Sequence, residues 1–286
     1  MTARSACTWA RGCLLGSLLG GPLVGCAGDT GSERFAFEAF AAGTASASAP
    51  LTFTNALGWS ITLTRADVTL GPLYLNVVPP LRAPSTLLDW LIPTAYAQAE
   101  HLAEGRIVGE VLGQAHFSAL SPELVAFSAP GMLTAEQVRT AEVWFYPEPG
   151  VAPETTNITS AALTLEGQAT RAGQTLAFRG VLVLDGDWLG TAPAGSRGNT
   201  SITDVRQMRG IDAEFVPREG GHLELRFDIT APLRGADFTA LAASPTDADG
   251  AKRLVQARAG RDQVMTNLYQ GLTAAEGSYA VRWVDP

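Results

Sequence analysis

The chain reads as a mainly β protein, an antiparallel β-sandwich-like domain with a minor C-terminal helix. Three observations predict this. Short segments that alternate apolar and polar residues recur along the chain, with glycine, proline and asparagine between them. Residues 162–170 and 174–185 flank Arg171-Ala172-Gly173, the composition of a tight hairpin turn. Within 222–230, Leu223, Leu225, Phe227 and Ile229 alternate with His222, Glu224, Arg226 and Asp228, which predicts one dry and one wet face. No segment repeats at a fixed period.

Taken in order, Phe35, Phe37 and Phe40 suggest a first strand over 33–41, and 43–50 is a low-complexity loop. Residues 51–54 and 59–70 read as strands around a turn at Asn55 to Gly58. Gly71-Pro72 interrupts them before 73–78. Residues 81–104 depart from the pattern. They crowd Leu87, Leu88, Trp90, Leu91 and Ile92 between Pro84 and Pro93, and read as a structured insertion with a short helical piece. Strand patterns return at 105–117, 124–127 and 140–146. After the 162–185 hairpin and a glycine-rich stretch, 209–216 is expected to pair with 222–230 across Arg218 to Gly221. Residues 252–272 space Leu254, Val255, Val264, Met265, Leu268 and Leu272 as a helix, with Asp247 and Asp249 as caps ahead of it. Residues 278–284 form a last strand.

The first 25 residues are not part of that fold. Arg4 and Arg11 flank a short apolar run through Leu14, Leu15, Leu18 and Leu19, and no acidic residue precedes Asp29. The run is too short and too broken by Gly16, Gly20, Gly21 and Pro22 to span a bilayer. Closed by Leu23-Val24-Gly25-Cys26, the segment resembles the bacterial lipoprotein signal. The resemblance implies lipidation at Cys26, a signal peptide over 1–25 and a lipidated tether over 26–32; the strand pattern makes 33–286 a single β-rich domain with the loop insertion 81–104. Ala27 in place of Asp after the cysteine resembles the sorting pattern of outer-membrane lipoproteins. The expected partners are the membrane, through this anchor, and a protein or small ligand.

Loss of Arg4 and Arg11 leaves 18 basic against 28 acidic residues, a formal charge of −10 that repels nucleic acid. Cys7 and Cys13 leave with the signal, so the folded part has no disulfide and no thiolate site. Lys252 is the only lysine, and no G-x-S-x-G, H-E-x-x-H or S-x-x-K motif occurs. These absences argue against the common enzyme classes; the expected function is a non-catalytic ligand- or partner-binding protein, and the alternative is a metal-binding (zinc or copper) periplasmic or surface protein, or an enzyme using a His/Glu site around His101.

Candidate ligand-binding residues are Trp90, Tyr96, Glu100, His101 and Glu104 in the insertion, where aromatics and a charged run share one loop. Glu100, His101 and Glu104 lie at helical spacing for a partial divalent-metal site, with His116 as a further imidazole. The plainer expectation is a solvated helix face at 100–104 and a satisfied sheet residue at His116. His222 is expected on the wet face of its strand. Asp247-Ala248-Asp249-Gly250 begins like a calcium loop but lacks the later glutamate. Trp59, Trp144 and Trp283 are expected in the core, with Trp188 beside a loop.

Overall fold

A computed structural model describes residues 34–79, 106–145, 162–184, 206–254, 263–274 and 277–286. Ser32–Pro286 forms one compact unit. The fold is mainly β, with two sheets and one short C-terminal helix.

The larger sheet has nine strands: β1 (Arg34–Gly43), β4 (Leu73–Asn76), β5 (Ile107–Val111), β7 (Val125–Ala126), β8 (Gly131–Thr134), β9 (Val138–Trp144), β12 (Gln207–Phe215), β13 (His222–Phe227) and β15 (Tyr279–Val284). Their order is β12-β9-β4-β5-β8-β1-β13-β15, with β7 added on β1. The outermost strands β12 and β15 lie beside each other, so the sheet curls into a nearly closed barrel. Phe215 stacks on Trp283 across that seam, with centroids 6.0 Å apart and planes at 22°. Phe35 and Phe37 meet the same indole edge-on at 6.2 and 5.4 Å. Each such pair adds about 0.5–1.5 kcal/mol beyond its burial, enough to hold an unpaired seam shut.

The smaller sheet has six strands: β2 (Leu51–Thr54), β3 (Ser60–Leu70), β6 (Ala115–Ser118), β10 (Leu163–Arg171), β11 (Gln174–Leu182) and β14 (Lys252–Leu254). The path is β14-β11-β10-β3-β2, and β6 joins β3. The β10–β11 hairpin turns as its sequence predicts, because Ala172 and Gly173 both take positive φ, 49° and 80°. That is the geometry whose twist matches the flanking strands. One apolar core, including Trp59, Ile61, Leu63, Phe145, Phe178 and Phe227, draws on both sheets. Asn55 pins the turn before β3 with four hydrogen bonds. Its amide donates to the Leu233 and Ala236 carbonyls at 3.2 and 2.8 Å and accepts from the Leu57 and Trp59 N–H groups at 3.0 Å.

Several expectations change. The pairing is mixed rather than wholly antiparallel, since β1 runs parallel to β13 and β11 parallel to β14. The predicted 209–216/222–230 hairpin does not form: β12 pairs with β9, and β13 pairs with β1 and β15. The two apolar patterns are right, but barrel curvature offers each a different neighbour. A central position also buries β13 on both faces, so Glu224, expected in water, is 5% exposed. The residues 105–117 split into β5 and β6, while β8 had no expectation. Residues 252–254, expected to open the helix, are strand β14; within the predicted span, among the described residues, α1 (Gln263–Thr273) is helical and buries Val264, Met265, Leu268, Tyr269 and Leu272. The cause is Gly180 on β11: a Cβ there would stand 2.3 Å from Leu254 Cβ, so its absence makes the space that β14 fills. The anticipated core role holds for Trp59, 1% exposed, whereas Trp144 and Trp283 are half-buried.

Candidate functional site

A groove of about 340 Å³ opens on the outer face of the smaller sheet where β3, β10, β11 and β14 run side by side. Strand register builds it. Arg65 on β3 faces Glu166 on β10, Glu166 faces Arg179 on β11, and Arg179 faces Arg253 on β14. A row of alternating side chains thus becomes a lateral ladder of guanidinium and carboxylate. One pleat further on, Thr164 faces Val181, which is 43% exposed and gives the groove an apolar patch.

The charges are cross-linked. Arg65 donates to Asp67 at 2.6 Å and to Glu166 at 3.2 Å, and these bonds, Asp67 first, hold it above the ordinary guanidinium value. Arg253 Nε donates to Asp247 at 3.0 Å, and its Nη2 pairs with the same oxygen. Arg179 lies 3.6 Å from the other Asp247 oxygen and bonds Asp249. The Ala251 N–H bond to Asp249, helped by the Arg179 charge, lowers that carboxyl against its partial burial. Asp247 and Asp249 are therefore arginine partners in a turn before β14, not caps of a helix. Each guanidinium has five N–H donors, more than these bonds use. The lining carries Arg65, Arg179 and Arg253 against Glu166 and Asp247, and Asp67 and Asp249 bond the same arginines, so the guanidiniums gather on an acidic chain but are matched by their carboxylate partners.

A second charged cluster lies on the larger sheet. Glu224 Oε2 accepts from Arg226 Nε and Nη2 at 3.2 and 3.1 Å, and from Arg282 Nε and Nη2 at 3.0 and 2.6 Å. His222 Nε2 stands 3.5 Å from Oε1, and its ring meets Phe40 edge-on at 5.4 Å. Burial pushes the Glu224 carboxyl up, but the bonds and charges of Arg282 and Arg226 outweigh it, leaving the group below the usual glutamate value. Arg226 also donates to the Gly43 and Pro122 carbonyls at 3.2 and 2.7 Å, so this cluster ties β13 to β1, β15 and the 120s segment. It is a structural clamp.

The residues predicted from sequence fall elsewhere. Cys26, Trp90, Tyr96, Glu100, His101, Glu104 and Trp188 lie outside the described residues. His116 is on β6, exposed, with Nδ1 2.9 Å from Thr69 Oγ1, as a satisfied sheet residue would be. Among the described residues no three His, Cys, Asp or Glu side chains are placed to hold a metal ion. Lys252 is engaged by the Ser244 carbonyl and Thr246 Oγ1 at 3.2 and 2.8 Å. The groove arginines were missed because Arg65, Glu166, Arg179 and Arg253 are far apart in sequence. The one legible signal was the position of Arg65, Glu166 and Arg179 within segments read as strands.

No protein-family model matches the chain, and no curated protein matches it. Among solved structures it is similar to MbnP from Methylosinus trichosporium, at 9% identity, over 72% of this chain and 79% of that chain, with a TM-score of 0.30. At that score no residue of one can be placed on a residue of the other.

Proposed function

We propose that this chain is a lipid-anchored, non-catalytic binding protein of the bacterial cell envelope, held in the outer membrane through Cys26, whose groove takes a small organic acid with an apolar body. The Leu23-Val24-Gly25-Cys26 box supports the anchor. The observation that carries the ligand is the convergence of Arg65, Arg179 and Arg253 around exposed Val181. Guanidinium forks suit carboxylate, sulfonate or phosphate oxygens, and the apolar patch suits a hydrocarbon or ring behind them. The volume is at the lower end of small-molecule sites, which run from about 300 to 1,000 Å³.

A ligand of about 20 non-hydrogen atoms at about 0.3 kcal/mol per atom binds with about −6 kcal/mol, a Kd of tens of micromolar. Titration with 8-anilinonaphthalene-1-sulfonate, then displacement by aryl and alkyl carboxylates, tests the reading. Arg179→Gln combined with Arg253→Gln is expected to weaken binding at least about tenfold, which corresponds to about 1.4 kcal/mol. Equal affinity for the matching neutral amides would sink it.

A further inference from the structure

We propose that the end of the larger sheet at which β1 begins seats on the lipid bilayer, so that the groove faces away from the membrane. This rests on the anchor at Cys26 and goes beyond it, because an anchor alone leaves the orientation of the domain unset.

The tether sets the reach. Arg34 follows Cys26 by eight residues, at most about 28 Å when fully extended. A domain of about 250 residues has a radius of gyration near 18 Å. The tether is therefore shorter than the body it holds, and the strand ends nearest Arg34 spend their time at the lipid surface.

Register identifies those strand ends. Arg34 faces Thr134, Leu133 faces Gly109, Asn76 faces Ile107 and Thr140, and Val138 faces Phe215. Exposed apolar side chains sit at or within two residues of this rim: Ile107 at 54%, Met132 at 46% and Val216 at 58%. Exposed arginines accompany them. Arg34 and Arg139 project to solvent, Arg106 pairs with Glu136, and Arg218 lies 3.6 Å from Asp285. With Glu214 beside Phe215, Glu219 nearby and Glu110 facing Met132, five acids stand against four arginines there, nearer balance than 28 acids against 18 bases after residue 25. Apolar residues ringed by arginines suit the headgroup boundary, where the stems lie in the apolar layer and the guanidiniums meet phosphate.

The groove lies toward the opposite end. β4 runs from Leu73, beside the Gly71–Pro72 corner, down to Asn76 at the rim, and β3 reaches that same corner at Leu70. The start of β10 and the end of β11 are fixed there by Thr69 N–H to Ala162 O at 3.1 Å and Ala162 N–H to Leu182 O at 2.8 Å. The groove residues Thr164–Glu166 and Arg179–Val181 adjoin those ends. A rim held to the membrane thus leaves the arginines open to diffusing ligand.

The experiment uses the full lipidated protein in vesicles of phosphatidylethanolamine and phosphatidylglycerol. The mature domain has no cysteine beyond Cys26, so Met132→Cys, Val216→Cys and Val181→Cys each create one labelling position. A fluorophore at each is quenched by iodide, with and without vesicles. Protection of severalfold at 132 and 216, with none at 181, is expected. Equal quenching at all three in protein that floats with the vesicles overturns the proposal while the anchor stands. Protein that does not float and lacks the acyl mass overturns both.

Discussion

Glu224→Gln separates a clamp from a solvated ion pair. The substitution keeps the shape and removes the charge that two guanidiniums share. Arg282 is 62% exposed, so its pair contributes at most about 1 kcal/mol after screening by water. Arg226 is 19% exposed, and breaking a buried pair costs about 3–5 kcal/mol when the remaining charge is stranded. Here it is only partly stranded, because Arg226 keeps the Gly43 and Pro122 carbonyls and the new amide oxygen still accepts one bond. The expected loss is therefore about 2–3 kcal/mol. With a urea slope of roughly 3 kcal/mol per molar, the unfolding midpoint falls by about 0.7–1 M, read by tryptophan fluorescence.

The pH dependence has a definite sign. The carboxyl lies below its unfolded value of about 4.3 when folded, so its stabilisation is complete above that value and is lost as the pH falls through the folded one. The gap between the wild-type protein and Glu224→Gln should hold from neutrality to about pH 5 and narrow below about 4.3. A midpoint shift under about 0.2 M, or a gap that widens on acidification, would refute the clamp.

Asn55→Ala removes the partner of two buried carbonyls and two turn N–H groups, and should cost about 2–4 kcal/mol in the same assay. Gly180→Ala forces Leu254 and β14 outward, costing about 1–3 kcal/mol and weakening ligand binding together, whereas Arg253→Gln should weaken binding with stability nearly unchanged. Affinity for an organic acid should fall as salt is raised from about 0.05 to 0.5 M, while a neutral analogue shows no such slope. Protein equilibrated with zinc and copper and then dialysed should retain substoichiometric metal, measured by elemental analysis. A full equivalent lost on His101→Ala would instead support the metal reading.

Alternation alone placed β3, β10 and β15 within one residue and β11 from its first residue to three past its end, because a half-buried strand writes its two faces into the sequence. Which strands are neighbours was not written there. β12 and β13 each carry a clear pattern, yet their partners are β9 and β1, chosen by the curl of the sheet and the Phe215–Trp283 contact. The three residues 252–254 read as helix because apolar spacing over so short a span suits either period, and what decides is Gly180, more than 70 positions earlier. The groove is hidden in the sequence for a related reason: Glu100, His101 and Glu104 lie close together along the chain, whereas the groove gathers Arg65, Glu166, Arg179 and Arg253 by register.

That origin constrains how the groove could work. Each groove arginine is held by carboxylate partners: Asp67 and Glu166 for Arg65, Asp247 for Arg253, Asp247 and Asp249 for Arg179. An incoming acid therefore meets guanidiniums already oriented and partly neutralised. The entropy of fixing those long side chains is spent in the folded protein rather than on binding, and the resident carboxylates limit how tightly any acid is held. Such a site favours a moderate Kd and quick release. It suits a protein that hands a ligand on better than one that sequesters it, and a dissociation rate measured by stopped-flow displacement of the fluorescent sulfonate distinguishes the two.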